Sequence, residues 1–205
     1  MIIKKYTVDF DENCYVVFNE ENKQAVIIDL GSKADYIYNE ITSLGYTPVA
    51  VILTHGHFDH TGGCYDIQKK GVPVYIYKDE YDFTFTDKNC AFVFGLPYKE
   101  FKADYTFERG DLTVGGITFK VLTTPGHTSG SVCFIVEDKM FSGDTLFKGS
   151  YGRYDLLTGN RKDLISSIVD TLFHLKANYI VYPGHGEETT LEQERDTNFI
   201  WNELW

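Results

Sequence analysis

A chain of 205 residues, 43% of them hydrophobic and with 15 Tyr and 15 Phe, can fill one sizeable core but is short for several independent units, so a single domain over 1–205 is expected. Its 24% charged residues place it in the globular range and exclude disorder as its organising state. A formal net charge of −11, from 19 Lys and Arg against 30 Asp and Glu, argues against nucleic acid and anionic membrane surfaces as partners.

The first ten residues lack the charged-then-apolar order of a secretory signal, and no run approaches the roughly 20 apolar residues that span a bilayer. A soluble cytoplasmic protein is therefore expected. Strand-like runs at 4–9, 15–18 and 24–29, separated by turn-forming polar clusters, predict a meander. Residues 34–44 then change period, with Ala34, Ile37, Ile41 and Leu44 on one face. Ser32, three residues before Asp35, is the expected helix cap, and Gly45 the stop. A buried-type strand at 49–53 leads into Thr54-His-Gly-His-Phe-Asp-His60, followed by an expected helix over 62–70 and a strand at 74–77. The segment 81–107 carries nine aromatics around Gly95 and Pro97 and reads as an ordered long loop, either packed into the core or walling a substrate pocket.

The second half repeats the plan. Strands are expected at 105–107, 111–114, 117–123, 131–136 and 139–142, a helix at 163–173 capped by Asn160, a buried strand at 179–182 and a C-terminal helix over 191–202. Two meander-then-helix halves predict two packed sheets with helices outside. Cys14, Cys64, Cys90 and Cys133 form no C-x-x-C pair and fit four reduced thiols better than a disulfide framework.

Five of the six histidines follow strand-like runs: His55, His57 and His60, then His127 in Pro125-Gly-His127, then His185 in Pro183-Gly-His185. Asp144 in Ser142-Gly-Asp144 ends another strand in the same manner. Imidazole and carboxylate are the ligands of zinc and other borderline first-row metals. With Asp59 this makes seven ligand-type groups, too many for one tetrahedral ion and well divided over two. Two ions held by a bridging carboxylate can also depress the pKa of water from about 15.7 toward ~7.

Thr54-His-Gly-His-Phe-Asp-His60, Thr124-Pro-Gly-His127, Gly143-Asp144 and Pro183-Gly-His185, in that order, resemble the metallo-β-lactamase superfamily. The resemblance implies an α+β fold, a four-layer αβ/βα sandwich of two mixed sheets. It implies that His55, His57 and His127 hold a first metal, that Asp59, His60 and His185 hold a second, and that Asp144 bridges them. Two divalent ions are then the expected cofactors, zinc first, with iron or manganese also accepted by this ligand set.

The run Gly143-Asp-Thr-Leu-Phe-Lys-Gly-Ser-Tyr-Gly-Arg-Tyr-Asp155 is similar to the glyoxalase II branch and its short bacterial relatives, which implies a hydrolase of a small acyl thioester such as a hydroxyacylglutathione. There Asp59 and Asp144 would be catalytic and Arg153 would meet the thiol part of the substrate, unless it merely pairs with Asp155. Only 20 residues follow His185, so the helical extension with which longer glyoxalase II enzymes hold glutathione has no counterpart, and another thiol is open. Asp87-Lys-Asn89 also resembles a loop of the short relatives, with Cys90 where Ser is more usual. The alternative is a persulfide dioxygenase of the same superfamily, which Gly152-Arg-Tyr-Asp155 resembles and which would use one iron at His55, His127 and Asp144.

Overall fold

A computed structural model describes residues 1–203. The first sheet is built in chain order from β1 (Ile2–Thr7), β2 (Asn13–Asn19), β3 (Gln24–Ile28), β4 (Thr47–Ile52), β5 (Val74–Tyr77) and β6 (Tyr105–Phe107). The first three strands run antiparallel, and β3 to β6 pair in parallel. The second sheet has the order β14 (Thr189–Thr190), β13 (Ile180–Pro183), β10 (Lys139–Gly143), β9 (Val132–Val136), β8 (Ile117–Thr123) and β7 (Gly110–Val114). A two-stranded ribbon of β11 (Leu146–Phe147) and β12 (Ser150–Tyr151) follows Asp144.

Alternation along the strands sorts the apolar residues into layers. Tyr15, Val17, Val26, Ile28 and Ile52 face Phe119, Val121, Phe134 and Phe141 between the two sheets. Their neighbours Val16, Phe18, Ile27 and Val51 turn outward onto Ile37 and Ile41 of α1 (Ala34–Ser43) and Ile67 of α3 (Cys64–Gln68). On the far side Cys133, Ile135, Met140 and Val181 pack on Leu164 of α4 (Arg161–Ser166), on Ile168 and Leu172 just beyond it, and on Leu191 of α5 (Leu191–Thr197). This is the expected four-layer sandwich, and all four cysteines are free and buried.

Several elements differ from the sequence reading, each for a local reason. Residues 105–107 close the first sheet rather than opening the second half: Tyr105 stacks on Tyr75, and Asp104 accepts from Val74 N–H (2.8 Å). Ser32 does not cap α1; its hydroxyl accepts from Asp9 N–H (3.2 Å), and the cap position is Lys33 in a left-handed conformation. The helix expected at 62–70 is found in shorter form as α3, Cys64–Gln68. A short turn, α2 (Phe58–Thr61), already forms inside the histidine motif, and the Gly62-Gly63 break lets the chain press against the loop after β3, where a Cβ on Gly62 would lie 2.5 Å from Gly31 O.

The helix expected at 163–173 begins two residues earlier, at Arg161 under the Asn160 side chain, which accepts from Lys162 and Asp163 N–H, and widens into a π-turn at Ser167–Leu172. There Ser167 donates to Pro125 O (2.7 Å), so the widened turn braces the Pro-Gly-His127 loop, a common use of π-turns near functional sites. The C-terminal helix breaks at Asn198, whose amide donates to Ser150 O and Glu194, and resumes as a 3₁₀ turn at Phe199–Glu203. The aromatic segment forms 3₁₀ turns at Lys78–Phe85, Asp87–Asn89 and Phe92–Phe94.

Candidate metal centre

The seven predicted residues meet at one edge of the two sheets. His55 and His57 follow β4, Asp59 and His60 lie in α2, His127 follows β8, Asp144 follows β10 and His185 follows β13. Donor atoms of His55, His57 and His127 lie within 4.8 Å of one another, as do those of Asp59, His60 and His185. Asp144 stands between the two groups, with Oδ1 3.3 Å from His60 Nε2 and Oδ2 3.6 Å from both His127 Nε2 and His185 Nε2.

The outer nitrogens of the rings are tied to the protein, which fixes what the inner ones offer. Carbonyl oxygens can only accept, so His127 donates from Nδ1 to Arg153 O (2.7 Å) and His185 from Nδ1 to Asp11 O (3.2 Å). His60 Nδ1 donates to Asp29 Oδ2 (3.0 Å), and the same carboxylate takes Thr54 N–H and Thr54 O–H, leaving Thr54 Oγ1 to accept from His55 Nδ1 (3.1 Å). In its neutral, metal-binding state each of these four rings is thereby left with a bare Nε2 aimed into the cluster. His57 Nδ1 lies 2.9 Å from His127 Nε2.

Burial, reinforced by the neighbouring imidazoles, lowers the pKa of His55 far below its ordinary value and brings His57 to about 3, so both are neutral, the state in which imidazole binds metal. Burial also opposes charge on His60, but Asp144, Asp59 and Asp29 outweigh it and raise its pKa well above the ordinary value. The centre therefore selects positive charge. His55 Nε2, His57 Nε2, His60 Nε2 and Asp144 Oδ1 are buried without any hydrogen-bond partner. Orphaned polar atoms of this kind cost on the order of 1–3 kcal/mol each. Converging here, they fit a cation-filled site, and the donor set fits metal ions.

Four supporting residues escaped the sequence reading. Asp29 is the carboxylate behind His60 and Thr54; it ends β3 much as Asp144 ends β10, and that strand-end position was its signal. Glu80 is fully buried and joins two of the histidine loops by accepting from Gly56 N–H (2.9 Å) and Gly130 N–H (2.8 Å). Asn13 donates from its amide to Pro183 O and Gly186 O, straddling His185. Glu12 lies behind His60, and burial pushes its carboxyl well above the usual carboxylate range, so it adds little negative charge.

The centre floors a cavity of about 380 Å³ that Arg153 also lines. The Arg153 guanidinium is held by Asp155 through Nε (2.7 Å) and Nη2 (2.9 Å), with the side chain half exposed. The aromatic segment supplies both of the anticipated roles: Phe83 and Phe101 are buried, whereas Phe94 lines the cavity. His174 lies outside the cluster, exposed, with Nδ1 donating to Val169 O. His174→Gln is therefore expected to leave catalytic turnover within about twofold of wild type in a steady-state assay.

Residues 7–185 match the model of the metallo-beta-lactamase superfamily. A probable metallo-hydrolase of Bacillus subtilis, YqgX, is 35% identical, with 93% of this chain and 92% of that protein aligned. The hydroxyacylglutathione hydrolase GloC of Haemophilus influenzae is 37% identical, covering 94% of each. The crystal structure of TTHA1623 in a di-iron-bound form superimposes with a TM-score of 0.85 at 34% identity, over 96% of this chain and 99% of that one. With its two-sheet sandwich and its histidine and aspartate cluster at the sheet edge, the chain belongs to the metallo-beta-lactamase superfamily of metal-dependent hydrolases.

Proposed function

We propose that the chain is a dinuclear metal-dependent thioesterase of the glyoxalase II type, working in the cytoplasm on a small acyl thioester, with a hydroxyacylglutathione as the reference substrate. The observation that carries this reading is the position of Asp144, one oxygen toward His60 and the other toward His127 and His185, between two three-residue groups. In it, His55, His57 and His127 hold one ion and Asp59, His60 and His185 the other, zinc being the first candidate and iron or manganese also suited to these donors. The one-iron dioxygenase reading leaves His57, Asp59 and His185 without work. The 2.9 Å approach of His57 to His127 and the 3.4 Å approach of Asp59 to His185 favour the two-ion arrangement.

Bound there, the ions would supply Lewis acidity toward the thioester carbonyl and make water a nucleophile at neutral pH. The chain orients the reaction. Asp59 and Asp144 line the cavity floor, where they would supply the negative charge that holds the ions and would orient the attacking water. The apolar walls thin the water around the scissile bond, which strengthens every electrostatic contact there. The test is thiol release from a hydroxyacylglutathione by protein carrying two equivalents of zinc. Hydrolysis is expected; an inert protein with both ions bound refutes the reading, and oxygen uptake with a persulfide would support the alternative.

Arg153 is assigned to the anionic part of the thiol. Because Asp155 already holds one edge of the guanidinium and the side chain is half exposed, the gain is on the order of 1 kcal/mol. Arg153→Ala should raise KM about fivefold with kcat nearly unchanged, the signature of a contact shared by ground and transition states. An unchanged kcat/KM for the glutathione thioester would return Arg153 to a surface ion pair.

A further inference from the structure

The walls of the cavity above the metal centre are formed by Phe10, Phe58, Phe94, Leu96, Phe147 and Leu156. Among the described residues no hydroxyl or amide side chain lines it, and its one cation, Arg153, is already paired with Asp155. Phe10 and Phe94 remain 55% and 47% exposed, and both rings meet Phe58, at centroid distances of 5.2 and 5.4 Å. Large phenyl groups left open to water around a reactive floor are unusual on a folded surface.

A second observation shows that this rim is built at a cost. Phe10 (φ 63°, ψ 20°) and Asp11 (φ 57°) are consecutive non-glycine residues in the left-handed region, and that turn holds Phe10 over the mouth. Strain of this kind persists where the surrounding structure enforces it and collects at functional sites. Here the enforcement is visible: Val8 N–H donates to Glu12 O, closing the turn, and Asp11 O receives His185 Nδ1–H.

We infer that the site prefers an apolar acyl arm, of the size of an arylalkyl or branched alkyl group, over the hydroxyacyl arm of the reference substrate, and that the preferred arm packs against Phe10, Phe58 and Phe94. The inference rests on the thioesterase reading. Above the floor of His57, Asp59, His127, Asp144 and His185, a hydroxyl on the acyl arm would lose its water and find no side-chain partner on the apolar walls, whereas a phenyl ring or branched chain gains contact with three aromatic faces. Arg153, which also lines the cavity, is left to the thiol part.

The test compares two esters of the same thiol, phenylacetylglutathione and lactoylglutathione, and, separately, binding of the products phenylacetate and lactate to the two-zinc protein by calorimetry. The expected result is a kcat/KM at least tenfold higher for the phenylacetyl ester and tighter binding of phenylacetate. In Phe10→Ala, and independently in Phe94→Ala, both preferences should fall severalfold while metal content holds. Equal or reversed preference for lactoyl and lactate overturns the inference, as does a preference untouched by either substitution. If neither ester is cleaved by the two-zinc protein, the hydrolase reading fails. The apolar subsite then stands if phenylacetate alone binds and loses affinity in both variants, and falls if it does not.

Discussion

Asp144→Ala is expected to lower turnover on the order of 1,000-fold and to weaken retention of both ions, while the fold remains. The side chain is nearly buried and sends its two oxygens toward different histidine groups, so under the proposed two-ion reading its loss would remove one ligand from each ion and leave two positive charges facing each other. Loss of several kcal/mol of charge stabilisation corresponds to that rate factor. Asp144→Asn keeps the shape but removes the charge and should fail nearly as badly. Near-wild-type metal content and rate in either variant would show that Asp144 bridges nothing.

Gly184→Ala is the second large effect and acts by crowding alone. A Cβ there would lie 2.3 Å from Asp144 Oδ1 and 2.7 Å from His60 Cε1. The backbone cannot retreat, because Gly184 N–H donates to Gly143 O and Gly184 O accepts from Asn13 N–H, both at 2.8 Å. Asp144 and His60 must move instead. A displacement of about 1 Å in a reacting constellation costs roughly 100-fold in rate, and under the proposed two-ion reading the ion assigned to Asp59, His60 and His185 should be the one lost. Metal analysis beside circular dichroism checks this; a variant with full metal content and wild-type turnover would contradict the packing.

The sheets were legible because strands carry their own signal: Tyr15 and Val17 alternate with Val16 and Phe18 whatever the rest of the chain does. The site was legible for a related reason, since histidines placed just beyond strands on Pro-Gly turns have few structural uses. Other features depend on tertiary partners that no local pattern records. The Asp9 amide claims the Ser32 hydroxyl, and Gly31 crowds the Gly62-Gly63 break between α2 and α3. Residues 105–107 pair with β5 across a 27-residue excursion that periodicity cannot bridge. Asp29, Glu80 and Asn13 support the cluster from sequence separations of 25, 50 and 173 residues, each ordinary in its own neighbourhood.

The central claim is that two ions share Asp144 and are both needed to hydrolyse a thioester. Its most direct measurement is a titration of metal-free protein with zinc, followed by thiol release from a glutathione thioester at each addition. Activity should climb to a plateau at two equivalents per chain, with little below the first; a plateau reached at one equivalent would contradict the account.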